Sequence, residues 1–229
     1  MHLLHASSLS DTVNAVNDAF FFGRPVPADT RRDVAAWIAS RQGLPGAYGA
    51  LFAGFPKERS AGIHLFTGEH VASASARHIL GEEACRALLL LNSREPATTA
   101  ALERATGWIS RRVHSAASAA PRNSEGVFCC GKCTVGLWRN ILAGGLDRRE
   151  HRLRLGLRKL REQRTSEGEW RTFPFWYTVL ALSEMDDAAA RAELKHAARR
   201  IEAEARRPPK STPYAARRNA LARRAIERV

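Results

Sequence analysis

Three cysteines fall within five positions, Cys129, Cys130 and Cys133. The Cys-x2-Cys spacing of the last two lets two thiolates reach one tetrahedral zinc ion at the start of a helix, where backbone amides also lower a thiol pKa. Cys85, His114 and His151 are the candidates for a further ligand. No second Cys-x2-Cys accompanies the first, and small buried cysteines on an inner helix are the alternative. A second set, His78, Glu82 and Cys85, recurs at i, i+4 and i+7, one stripe of a helix, with Glu69 and His70 just before it. A carboxyl and an imidazole facing a cavity could do general acid–base work; the alternative is a helix-edge ion pair beside a core cysteine.

Aromatic residues concentrate at Trp170, Phe173, Phe175, Trp176 and Tyr177, five in eight positions. Lining a cavity together with Trp138, they could stabilise a cation or stack on an exposed base. Packed inside, the same rings would build core.

Charge is segregated. Residues 147–164 carry eight basic and three acidic side chains, and residues 191–229 carry twelve and four; together they account for the whole net charge of +13. Arg152, Arg158 and Arg161 in the first stretch, and Arg217 and Arg218 in the second, could track phosphates, which guanidinium groups grip in pairs of hydrogen bonds. An Arg-rich composition without function is the alternative, since 31 of the 36 basic residues are Arg.

The elements that must position these groups read as helices. The spacing predicts helices from Ser8 or Asp11 to about Phe20, from Asp29 or Thr30 to Arg41, and from Val71 to Leu91. Others follow from Thr98 or Thr99 to about Ala117, from Cys133 to Leu142, and from Asp147 as cap through Leu153, Leu157 and Leu160. Pro174 opens another to Met185, and two more cover about 187–206 and 213–228. Pro121 to Gly126 reads as a loop. Pro208 to Pro213 reads as a hinge, giving a helical domain over 1–206 and a basic C-terminal helix over 207–229 packed on the same domain.

A weak internal repeat runs through the pattern. Gly46-Ala47-Tyr48, Gly126-Val127-Phe128 and Gly168-Glu169-Trp170 each follow a helix end and a polar turn, as in stacked helical hairpins. Gln163, Gly168 and Trp170, with Gln42, Gly46 and Tyr48 as a weaker copy, resemble the glutamine–tryptophan repeat of terpene cyclases. Cys133 to Trp138 and Phe175 to Ser183 are similar to inner-helix segments of the related protein prenyltransferases. The resemblance covers about residues 30–190 and implies an α/α barrel or an arc of one, with the glutamine and the ring tying helix ends together. Where that family places a zinc-binding Asp-x-Cys, this chain has Gly131-Lys132-Cys133. The nearest match to the cyclase acid motif is Glu184-Met185-Asp186-Asp187, which reads as a turn and a helix cap. The resemblance therefore implies architecture and no catalytic residue.

The expected protein is all-α: stacked hairpins, an α/α-barrel-like arc or a right-handed helical repeat of about nine or ten helices. It would bind an apolar small molecule or a protein partner in its concave face. A nucleic-acid-binding helical repeat, similar to HEAT-like DNA repair glycosylases, is the other expectation. No residue pattern decides whether the chain is an enzyme, and zinc is the one cofactor the residues suggest. No run approaches the ~18 apolar residues of a membrane span, and the N-terminus lacks a basic segment followed by an apolar one. Clustered cysteines unlike a disulfide framework point to a reducing, cytoplasmic setting.

Overall fold

The computed structural model describes residues 2–119, 125–208 and 212–229, with backbone only over 115–119. Its described residues form eleven helices and one two-stranded hairpin, so the chain is all-α. No helix among them is long and apolar enough to cross a membrane. The expected loop Pro121–Gly126 and the hinge Pro208–Pro213 each lie partly outside the described residues.

Helix α4 (Ser75–Leu91) is the central element: α1 (Leu9–Phe21), α2 (Ala28–Ser40), α5 (Pro96–Ala119) and α6 (Gly131–Leu142) all pack on it. That explains its composition. Ile79, Leu80, Ala84, Leu88 and Leu91 are buried, and so are Glu82, Glu83 and Arg86, because neighbouring helices cover the middle of α4 on all sides and leave solvent mainly to Arg77 near its start. Helix α6 also touches α7 (Arg149–Arg161) and α8 (Phe175–Ser183); α9 (Ala188–His196) bridges α7 and α8, and α10 (Ala198–Ala205) pairs with α11 (Pro213–Ile226). Helix α11 buries Leu221, Ala222 and Ala225 against α10 and α8.

Several boundaries differ from expectation, each for a local reason. Val71 belongs to β2 (His70–Val71), which pairs antiparallel with β1 (Ile63–His64), so α4 starts only at Ser75. A short helix, α3 (Pro56–Ala61), precedes the hairpin; its buried Glu58 accepts the amides of Phe55 and Ser10. Asp147 does not cap α7: Arg148 holds the cap position in a left-handed conformation, and Asp147 accepts Arg152 instead. Residues 187–206 break at Ala197 into α9 and α10. Asp187 caps α9 through the amides of Ala189 and Ala190, as the helix-cap reading of the Glu184–Asp187 segment has it. The turns after α2 and α7 both close by an antiparallel bridge, Gln42 with Phe52 and Arg164 with Trp170.

Candidate metal centre

The two separate candidate sets of the sequence meet at one place. Helix α4 supplies His78 and Glu82, one turn apart. The loop entering α6 supplies Cys129 and Cys130, and the first turn of α6 supplies Cys133. One ligand atom from each of His78, Cys129 and Cys133 lies within 4.8 Å of the other two. Cys130 Sγ lies 3.6 Å from Cys133 Sγ and 3.5 Å from Ser75 Oγ.

Local backbone geometry builds the thiol cluster. Cys129 has φ +61°, a left-handed conformation rare for a side chain of this kind, and Cys130 is extended at the N-cap of α6. Thr134 ties the loop down: its hydroxyl accepts the Phe128 amide at 3.0 Å and donates to the Phe128 carbonyl at 3.2 Å. Gly131 allows the helix start to approach the strand of chain before α8, since a Cβ there would lie 2.1 Å from the Thr172 carbonyl oxygen.

The imidazole and the carboxyl are buried without partners. His78 is 6% exposed and Glu82 fully buried, yet His78 Nδ1 and both Glu82 oxygens have no hydrogen-bond partner. Such groups normally find one, because an unpaired buried polar atom costs about 1–3 kcal/mol. The His78 ring stacks on Tyr48 with centroids 3.3 Å apart and lies beside Phe128. Burial, with Arg77 and Arg112 nearby, pulls its pKa down to about 4, so it is a neutral ring with a free lone pair near pH 7. Burial, reinforced by Glu83 and Cys130, raises the Glu82 pKa well above the carboxylate range. The hydrogen bond with Cys133 brings Cys130 down to about 5, helped by Ser75 and the amides of Cys133 and Lys132; the same bond, then burial, raises Cys133.

The next residue shows the opposite solution. Glu83 accepts from Arg139, the Tyr177 hydroxyl and Asn17 Nδ2. Burial alone would raise its pKa, but Arg139 and Arg86, with those hydrogen bonds, hold it below the ordinary value of 4.5. Glu184 completes the network with Arg86 and Arg139. Sequence reading missed Glu83, Arg86, Arg139 and Asn17 as one unit. The available signal was Arg139-Asn140 inside the apolar run from Val135 to Leu142.

The remaining candidates lie elsewhere. Cys85 is buried, with its pKa raised by that burial, and is not in the ligand group. His114 contacts Ser110 and Arg152, and His151 pairs with Glu125. Trp138 is fully buried and donates to the Gly126 carbonyl; Trp170 is buried and donates to Glu193. Phe175 stacks on Trp170, Trp176 meets Phe175 edge-on, and Tyr177 is buried over Arg139. Among the basic candidates, Arg152 is fully buried and bonds Asp147 and the Glu125 carbonyl. Arg217 pairs with Asp18, and Arg218 bonds the Thr67 carbonyl. Arg158 and Arg161 stay exposed on α7.

Comparison with known proteins adds no relative: no family model, no curated protein and no solved structure matches the chain.

Proposed function

We propose that this chain is a zinc-pinned helical scaffold, with one metal ion held by His78 from α4 and by Cys129, Cys130 and Cys133 from α6 and its entry loop. The observation that carries the reading is the meeting of a His78 ring nitrogen with the thiols of Cys129 and Cys133, within 4.8 Å of one another, at a place where buried His78 Nδ1 and both Glu82 oxygens have no hydrogen-bond partner. A tetrahedral zinc with bonds of about 2.0–2.3 Å has ligand–ligand edges of about 3.3–3.8 Å. The Cys130–Cys133 separation of 3.6 Å already fits, the atoms of His78, Cys129 and Cys133 need to close by up to about 1 Å, and Cys130, outside that trio, has to turn toward it as the fourth ligand. One soft cation satisfies the imidazole lone pair and makes the thiolates stable inside the protein. The protonated Glu82 carboxyl then donates to a metal-bound thiolate, as a second layer of bonding does around such sites.

A Cys3His set fills all four positions, so the metal is structural and the working surfaces are the helical faces it holds in register. Binding of a ligand or partner on those faces is the activity that goes with this scaffold. Metal content by mass spectrometry of the full chain, purified without chelator, tests the reading. We expect one zinc per chain, lost in Cys133→Ala and in His78→Ala and kept in Cys85→Ala. A chain that takes up no zinc on titration, or one isolated with a Cys130–Cys133 disulfide that does not yield to zinc after reduction, overturns it.

A further inference from the structure

Away from the thiol cluster, α7 and α9 enclose a cleft of about 410 Å³. Arg154, Arg158 and Arg161 stand on its α7 wall at i, i+4 and i+7. The α9 wall is low, formed by Ala189 and Ala192, with Lys195 and His196 at its end. Leu157 lies between the arginines, buried toward the core.

Charge in the cleft is not neutralised from within. Glu193 is the one acidic residue lining it, and it is already committed. Arg164 grips Glu193 with two hydrogen bonds of 3.0 and 2.9 Å, and Trp170 Nε1 donates to the same carboxylate at 2.9 Å. Arg154, Arg158, Arg161 and Lys195 are exposed, and none has an acidic partner among the described residues. Other exposed cations of the chain are matched in part, as Lys159 is with Glu162, Arg191 with Asp186 and Arg206 with Glu202, but what sets these four apart is that they line one concavity. Four unmatched cations converging on one concavity repel one another, and an anion carrying several charges relieves that repulsion. The fixed Arg164–Glu193 pair makes a rigid end wall.

We propose that the α7–α9 cleft binds a small polyphosphorylated molecule, with Arg154, Arg158, Arg161 and Lys195 holding its phosphoryl groups and Ala189, Ala192 and Leu157 receiving its uncharged body. The volume argues for a compact ligand, since small-molecule sites typically run from about 300 to 1,000 Å³. The planar forks of three arginines suit chained phosphoryl oxygens, which accept two hydrogen bonds per guanidinium. This site is independent of the zinc reading, because no proposed metal ligand lines it.

The test is calorimetric titration of the full chain with inorganic tripolyphosphate and with ATP, at about 0.15 M salt so that general attraction is screened. Orthophosphate and a short DNA duplex are the comparison ligands. Arg158→Glu is compared with Arg94→Glu, which changes net charge equally on an exposed loop outside the cleft. We expect saturable binding of one tripolyphosphate or ATP per chain. Arg158→Glu weakens it by about tenfold or more, and Arg94→Glu by less than about threefold. Arg158→Gln, which adds no negative charge, gives an intermediate loss, and circular dichroism verifies that each variant is folded. Equal losses in the two Glu variants, or no saturable binding, overturn the proposal. It is overturned too if the duplex binds through Arg158 while tripolyphosphate fails to displace it, for the groove then serves a nucleic-acid backbone.

Discussion

The carboxyl of Glu82 rests against the backbone of Gly136 one helix away: a Cβ at position 136 would lie 2.3 Å from Glu82 Oε2. The missing Cβ leaves room for the Glu82 carboxyl between α4 and α6 one turn beyond Cys133. Glycine inside a helix ordinarily costs about 1 kcal/mol relative to alanine. Here the sign inverts. Gly136→Ala is expected to destabilise by about 1–3 kcal/mol through overpacking. In a Glu82→Ala background the obstruction is gone, and the same substitution should be neutral or stabilising. Urea denaturation of the four chains in this cycle gives the coupling directly; additive effects would show that the two residues do not meet.

Zinc removal should loosen the protein. A metal present at about 100 times its dissociation constant contributes about 2.7 kcal/mol to stability. For a domain of this size that corresponds to a Tm fall of about 5–11 °C on adding a strong chelator. Differential scanning calorimetry checks it, and His78→Ala should show no further fall with chelator. A chelator effect of equal size in His78→Ala would place the metal elsewhere.

Acid stability should be governed partly by Glu83. Its folded pKa lies below the ordinary 4.5. The stabilisation it gives is therefore full above about pH 4.5 and is lost as pH falls through the folded value, because the unfolded chain takes up the proton first. Glu83→Gln should flatten the pH dependence of unfolding free energy in that range. At pH 7 it should cost about 3–5 kcal/mol, since Arg139 is left buried with a weaker partner. Chemical denaturation at a series of pH values reads both effects, and an unchanged acid limb would remove Glu83 from the account.

Trp138 should matter through its indole N–H. The 2.8 Å bond to the Gly126 carbonyl joins α6 to the chain entering it. Trp138→Phe leaves that carbonyl without its donor and is expected to cost about 1–3 kcal/mol. Zinc content should be unchanged. A Trp138→Phe chain of unchanged stability would show that the bond to the Gly126 carbonyl contributes nothing.

The helical class could be read from periodicity, because Leu153, Leu157 and Leu160, or Val34 and Ile38, are buried as their spacing requires. Capping by Ser8 was equally readable, being local chemistry. The break at Ala197 was not: nothing in an Ala-rich stretch marks where packing against α7 and α8 ends and packing against α11 begins. His78 with Glu82, and Cys129 with Cys133, each stood out by spacing. Their meeting did not, since about fifty residues separate them and only the packing of α4 on α6 joins them. The arginines show the same limit. Composition treats Arg152 and Arg158 alike, six positions apart on one helix, yet one is enclosed by Asp147 and the Glu125 carbonyl and the other faces the cleft.

Helix α11 closes on helix α1. Arg217 binds Asp18 across 199 positions of sequence, and Arg224 binds the Phe21 carbonyl across 203. Contacts so distant along the chain are the slowest to form, because the entropy of closing the loop is lost before they give anything back. During synthesis, α1 leaves the ribosome long before the segment that covers Phe21 and Phe66 exists. Phe21 and Phe66 pack on each other, but their outer faces lack the guanidinium groups of Arg224 and Arg217 until α11 arrives. In the interval between the two events that aromatic surface is open to non-native contacts, the general hazard of incompletely folded chains.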